Sequence, residues 1–475
     1  MPKNIPDSGS EGSGNFQDIV NGFLNAPGLP FSNVLTAERI RDVFARHGGL
    51  FGEHGIYSTV IVLWAFLSQV LREGKEAACQ SAVAQITAHC IQTGIDPPSA
   101  DTGDYCKGRA KLPEAALHEL TCVVAEELET QANEEWLWLK RHIKLVDGFT
   151  FTMPATEENL AEFPHPKTQK KGVGLPIARA VAILSLGTAT VLDAATGPYK
   201  GKETGESALL RTMLPSFEKD DVVVFDRYYC SFMMIALLMM RGVDVCARLH
   251  QLRHSDFRKG KRLGKNDHII IWPKPPRPEW MDEETYATIP DTLELRELRY
   301  TVVEKGRRTE TITVVTTLTD HKVYSSEEIA KLYGFRWNSE LDIRSIKSNL
   351  HLDHVRCKSP EMVRREFWTI LLAYNLIRIT AANAAGLHDK QPRQISFTST
   401  CQFVLASWQR LSDSSVSCDE LLNQCRILLR LISTCIVANR PGRLEPRVLR
   451  RRRHGYPLMQ KPRDVLREEL RKECT

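Results

Sequence analysis

Apolar positions along the chain change period twice. Up to about residue 134 they recur every three or four residues, the helical spacing. Helices are expected at 36–48, about 57–72, 80–93 and 113–134, with Thr36 as a capping residue, Arg39 at its third position and Gly48 as a stop. Between the last two, DPPSADTGDYCKGRAKLP reads as a turn-rich connection carrying Lys107, Arg109 and Lys111. At Ile143 the period falls to two. IKLVDGFTFTM reads as a strand with Asp147 near its middle or end, and ARAVAILSLGTATVLDAATG as two strands turned at Gly187. TGESALLRTMLP supplies a helix stopped by Pro215, followed by a buried strand 222–225, Asp226 at its carboxyl end, a helix and another strand. A meander followed by alternating helix and strand predicts an α/β sheet of mixed direction.

From His250 to about Thr311 that rhythm breaks into a basic, Pro- and Gly-rich stretch and a hairpin around Gly306, which predicts a β-rich insertion carrying many cations, suited to facing an anionic partner such as DNA. LYGFRWNSELDIRSIKSNL, residues 332–350, then reads as one helix. At roughly 100° per residue, Tyr333, Arg336, Glu340 and Lys347 share one narrow stripe, with Trp337 and Leu341 on one flank and Phe335 and Ile346 on the other available for packing. Ser359-Pro360-Glu361 opens a further helix that reaches Gly386, apolar nearly all round and therefore buried. Another helical region spans 419–436. The implied organisation is a disordered Gly/Ser-rich leader at 1–20 and a helical domain at 21–136. A catalytic domain follows at 137–249 and 312–398, interrupted by the insertion at 250–311, and a helical, basic carboxy-terminal segment occupies 399–475.

Composition adds three constraints. A content of 42% hydrophobic and 25% charged residues is ordinary for a globular protein. The net charge of +5 is modest, but the last 36 residues hold 12 Lys/Arg against 5 Asp/Glu, including Arg450 to Arg453, which suits a nucleic-acid backbone. The 12 cysteines are scattered with no C-x-x-C pair, so reduced cytosolic thiols are expected, and no stretch is apolar enough over sufficient length to span a bilayer. Two phosphate-binding patterns fail: Gly172-Val173-Gly174 lacks a third glycine, and 197–202 is one residue short of a P-loop with Glu203 where Ser or Thr would follow the lysine.

Breaking a phosphodiester bond by in-line attack needs charge stabilised on the attacking and leaving oxygens, which two divalent ions held by a few carboxylates accomplish. Asp147, Asp226 and Glu340 meet that need. Each aspartate taken alone also suits a turn or a helix cap. The spacing Y-x2-R-x3-E-x6-K, Tyr333 to Lys347, together with the two upstream aspartates, resembles the signature of bacterial cut-and-paste DDE transposases of the insertion-element-four family. The likeness extends from the helical leader to NRPGRLEPRVLRRRRHGYP. It implies a ribonuclease-H-like catalytic domain in which the first and fourth strands are neighbours. It also implies Asp147, Asp226 and Glu340 as ligands of two Mg2+ ions, with Mn2+ able to substitute. Tyr333, Arg336 and Lys347 would hold the transposon end.

Implied partners are transposon-end and target DNA and a second copy of the chain in a synaptic homodimer, within the cytoplasm at the nucleoid. Two alternatives stand beside this reading: an inactive end-binding regulator, and a ribonuclease-H-like nuclease. Relatives that cut through a DNA hairpin carry a Trp on the last strand of the insertion. ITVVTTL has none, although Trp272 and Trp280 lie elsewhere in that segment.

Overall fold

The computed structural model describes residues 34–52, 55–92, 94–166, 173–302, 310–411, 418–437 and 460–473. The Gly/Ser-rich leader, Gly172, the Gly306 turn and the Arg450 to Arg453 run lie outside the described residues. The chain divides into two compact units, Met1–Val124 with Trp368–Lys390 and Ile395–Cys435, and Ala125–Phe367 with Gln391–Gln394 and Ile436–Thr475. Among the described residues no helix is long and apolar enough to cross a membrane.

The first unit begins with helices α1 (Ala37–Arg46), α2 (Thr59–Val70), α3 (Cys79–Gln92), α4 (Gly103–Lys111) and α5 (Glu114–Thr130), the last of which runs on past Val124 into the second unit. Thr36 caps α1, its hydroxyl accepting from the Arg39 N–H at 3.1 Å, and every residue of α2 is buried. The expected turn-rich connection is corrected by α4. Gly108 lets this helix approach α2 so closely that a Cβ there would stand 2.8 Å from Val62 Cγ2, so packing overrides the poor helix propensity of glycine. Arg109 therefore serves the interior. Its guanidinium lies 4.9 Å from the Phe66 ring centre and donates to Gln69 Oε1 at 3.3 Å.

The second unit is built on strands β1 (Ile143–Thr152), β2 (Ile177–Ser185), β3 (Val191–Pro198), β4 (Val222–Phe225), β5 (Asp244–Arg248), β6 (Lys261–Gly264), β7 (Asp267–Pro273), β8 (Thr292–Val302) and β9 (Glu310–Thr316). Helices α6 (Glu157–Glu162), α7 (Glu206–Thr212), α8 (Phe232–Met240), α9 (Glu283–Thr288), α10 (Ser326–Gly334) and α11 (Trp337–Asn349) intervene or follow. After them come α12 (Pro360–Gly386), α13 (Phe397–Leu411), α14 (Cys418–Thr434) and α15 (Arg463–Glu473). From Trp368 to the end of α14, all but 391–394 belongs to the first unit.

All nine strands form one sheet, ordered β3-β2-β1-β4-β5-β9-β8-β7-β6. The architecture is mixed α/β, parallel only at β1–β4 and β4–β5. The strands at 250–311 continue this sheet, because β9 returns to pair antiparallel with β5 through Cys246 and Thr316. Their cohesion comes partly from buried polar pairs. Arg296 donates twice to Asp267, at 2.8 and 2.6 Å, and the Trp272 indole donates to Glu297 at 3.2 Å.

Side chains alternate across β1. Val146 faces a core shared with Leu209 and Leu210 of α7 and Met234 and Ile235 of α8. The opposite face receives α11, with Ile343 and Ile346 buried. Here the single helix expected over 332–350 is corrected: α10 ends at Gly334, and α11 begins at Trp337. The Arg336, Asn338 and Ser339 N–H groups bond three residues back, to Tyr333, Phe335 and Arg336. The Asn338 side chain donates to the Phe335 carbonyl as well, and the Ser339 hydroxyl lies 2.7 Å from the Arg336 carbonyl. These contacts tighten the turn and separate two helices. Trp337 and Leu341, available for packing by sequence, are exposed.

Candidate active site

Strand β1 carries Asp147 to the boundary with β4. The two strands pair only as far as Val146 with Phe225, so Asp147 and Asp226 both stand one residue beyond that pairing. Asp226 leads a turn, its carboxylate accepting from the Tyr228 N–H and its carbonyl from the Tyr229 N–H at 3.3 Å. The third carboxylate arrives on α11. Arg336 Nη2 donates to Glu340 Oε1 at 2.6 Å, and Arg336 Nη1 lies 3.8 Å from Asp147 Oδ2. One guanidinium thus bridges two carboxylates from distant parts of the chain.

The electrostatics follow from burial. Desolvation raises the Asp147 carboxyl above its ordinary range and the Glu340 charge adds to this. The Ser339 hydroxyl, the Arg336 charge and the Gly148 N–H oppose it. Burial likewise pushes the Tyr333 phenol up to about 12, with Arg336 and Arg248 opposing and Cys246 and Asp226 reinforcing the shift. Tyr333 therefore remains a neutral hydroxyl near the carboxylates at physiological pH. Lys347 reaches across to β1, where its ammonium donates to the Thr150 carbonyl at 3.0 Å.

Of the six residues singled out from sequence, Asp147, Arg336 and Glu340 are in direct mutual contact through Arg336. Tyr333 lies within electrostatic reach of both Arg336 and Asp226, and Lys347 is anchored on the same strand as Asp147. Two further residues belong here. Ser339 donates to Asp147 Oδ2 at 2.9 Å. Glu206, first residue of α7, places its carboxyl carbon 2.4 Å from where a Cβ on Gly148 would be. Ser339 had a visible signal in its position just before Glu340, whereas for Glu206 the only hint was a glycine directly after Asp147. Trp272 is buried beneath Arg253, whose guanidinium lies 3.7 Å from its ring centre, and Trp280 is stacked by Arg211 at 3.9 Å.

Hard carboxylate oxygens framing a position now held by a cationic side chain fit a divalent ion of the magnesium type. Asp147 and Glu340 are placed to offer oxygens to such an ion, and Asp226 stands at the neighbouring strand end.

The transposase DDE domain family model matches residues 138–376, a span that begins just before β1 and ends within α12. Transposase InsG for insertion sequence element IS4 from Escherichia coli strain K12 is 26% identical over 328 residues, covering 67% of this chain and 70% of that protein. The putative transposase InsL for insertion sequence element IS186A, from the same strain, is 44% identical over 54 residues, 11% of this chain and 15% of its own length. Among solved structures, the piggyBac transposase synaptic complex with hairpin DNA aligns over 86% of this chain and 82% of its own, at 7% identity and a TM-score of 0.41. The family match spans half the chain and contains all three carboxylates together with Tyr333, Arg336 and Lys347, so this chain belongs to the DDE transposase family of DNA-cleaving and strand-transferring enzymes.

Proposed function

We propose that the protein performs cut-and-paste transposition, nicking DNA at the inverted-repeat ends of its element and joining the released 3′ ends to a target duplex. The catalytic domain is read as ribonuclease-H-like, with Asp147, Asp226 and Glu340 holding two Mg2+ ions. The observation that carries this reading is the Arg336 guanidinium set between Asp147 and Glu340. It marks a cation position framed by carboxylates at the end of the only parallel strands among those described.

When bound, the metal ions supply activation of the attacking oxygen and stabilisation of the leaving one. The chain's own residues do the rest. Arg336, Lys347 and the Tyr333 hydroxyl engage the phosphates and terminal nucleotides of the transposon end, where charge-assisted contacts offset repulsion between phosphate and carboxylate. The helical region at 21–136 recognises end sequence, and the basic carboxy-terminal segment holds the backbone. Synapsis of two ends requires a homodimer, acting on cytoplasmic, nucleoid-associated DNA.

A nicking assay on an end-containing duplex with Mg2+ tests the reading. Asp147→Ala, Asp226→Ala and Glu340→Ala are each expected to abolish cleavage while leaving end binding intact. Full cleavage by any one variant removes that residue from the site.

A further inference from the structure

The paired register of β1 and β4 ends at Val146 and Phe225, so Asp147 and Asp226 each stand one residue past the last pair, where no further pair holds the strands together. We propose that Glu206 and Tyr229 form a brace behind the sheet that fixes the separation of these two aspartates. This inference rests on the reading that Asp147 and Asp226 hold metal.

The brace is visible residue by residue. Asp147 and Gly148 are consecutive on β1 and face opposite sides of the sheet. Ser339 meets Asp147 on one side, and Glu206 fills the space beside Gly148 on the other, where a Cβ would lie 2.4 Å from Cδ and 2.6 Å from Oε2 of Glu206. The Gly148 N–H itself donates to Asp147 Oδ1 at 2.9 Å, so displacement of Gly148 carries the carboxylate with it. From the turn after β4, the buried Tyr229 donates its phenol proton to Glu206 Oε2 at 3.3 Å. The Tyr229 N–H holds the Asp226 carbonyl.

The path Asp147–Gly148–Glu206–Tyr229–Asp226 therefore closes across the gap where the strands no longer pair. Arg179 steadies the assembly, with Nε 4.0 Å from Glu206 Oε1 and Nη1 donating to the Thr204 carbonyl at 3.0 Å. Burial pushes the Glu206 carboxyl up, with the Asp147 and Asp226 charges adding to it against Arg179 and the Tyr229 hydroxyl.

The test is Mn2+ binding to the full chain, followed by electron paramagnetic resonance, with metal-free melting and end nicking measured in parallel. Tyr229→Phe and Glu206→Ala are expected to weaken Mn2+ binding about tenfold or more, the usual effect of removing a group that orients a metal ligand. Glu206→Gln, which still accepts the tyrosine hydrogen bond, is expected to stay close to wild type. Gly148→Ala is expected to bind poorly. Adding Glu206→Ala to it is expected to restore melting but not Mn2+ affinity, because the clash is relieved while the brace is gone.

Wild-type Mn2+ affinity in Tyr229→Phe overturns the brace, as does recovery of affinity in the double variant. A loss in Glu206→Gln as large as in Glu206→Ala also overturns it, by making Glu206 a ligand. The Asp147→Ala control separates the two levels. Undiminished Mn2+ binding in that variant overturns the metal reading and the brace with it, whereas loss there beside wild-type affinity in Tyr229→Phe overturns the brace alone.

Discussion

Ser339 donates a hydrogen bond to Asp147 across 2.9 Å although 192 residues separate them in the chain. The same hydroxyl lies 2.7 Å from the Arg336 carbonyl, so it joins the tight turn before α11 to the carboxylate on β1. Ser339→Ala is expected to lower end nicking about tenfold by freeing the Asp147 carboxylate. It is also expected to cost about 1 kcal/mol of stability through removal of the hydrogen bond. Single-turnover cleavage and denaturant unfolding measure the two effects, and an unchanged cleavage rate would show that Asp147 is oriented without Ser339.

Arg336 lies between Asp147 and Glu340, so on the proposed metal reading it is expected to compete with the ion. Arg336→Ala is expected to bind Mn2+ more tightly than wild type and yet cleave DNA roughly ten- to hundredfold more slowly, the loss expected from one or two charge-assisted phosphate contacts. Calorimetric titration and nicking on the same preparation decide this. Weaker Mn2+ binding would mean that the guanidinium organises the carboxylates rather than standing in for the ion.

Lys259, Lys261, Arg262 and Lys265 are exposed on and beside the β6–β7 hairpin. Exchanging all four for Ala is expected to weaken specific and nonspecific duplex binding alike, and to flatten the log–log salt dependence by roughly 0.9 for each phosphate no longer neutralised. A drop confined to the specific duplex would make this hairpin a reader of sequence.

His142 offers a pH test remote from the carboxylates. Its Nδ1 lies 2.9 Å from Glu129, and this hydrogen bond raises the imidazole above its ordinary value of 6.5 against the effect of burial. A raised histidine binds more protons folded than unfolded, so its contribution is fully present below 6.5 and lost as pH rises through the higher folded value. Melting temperature of the wild type is expected to fall across that window by more than that of His142→Gln. Parallel curves for the two proteins would count against the pair.

Local pattern was sufficient for the segments that carry the candidate carboxylates, though not for α4 or for the break between α10 and α11. The two-residue period predicted β1 and placed Asp147 inside it, the apolar run 222–225 predicted β4 with Asp226 at its end, and the Tyr333-to-Lys347 spacing singled out Glu340. These are one-dimensional signals, because burial of one face imposes a period on the residues that form it. The adjacency of β1 and β4 followed from the family resemblance.

Tertiary structure alone decided which side chains meet. Gly108 reads as a helix breaker until α2 is seen against it, and Arg109 reads as a surface cation until Phe66 and Tyr105 enclose it. The break between α10 and α11 is held by the Asn338 side chain and the Asn338 and Ser339 N–H groups donating to the Phe335 and Arg336 carbonyls, an outcome that helical periodicity does not encode. Glu206 and Tyr229 lie on separate helical and turn segments and converge only because α7 packs against β2 and β3 while β4 pairs with the opposite edge of β1. A residue's partner across a sheet depends on register and on which face its strand presents. Both are set by packing between elements distant in the chain, so Ser339, Glu206 and Tyr229 take their places beside the aspartates only in the folded molecule.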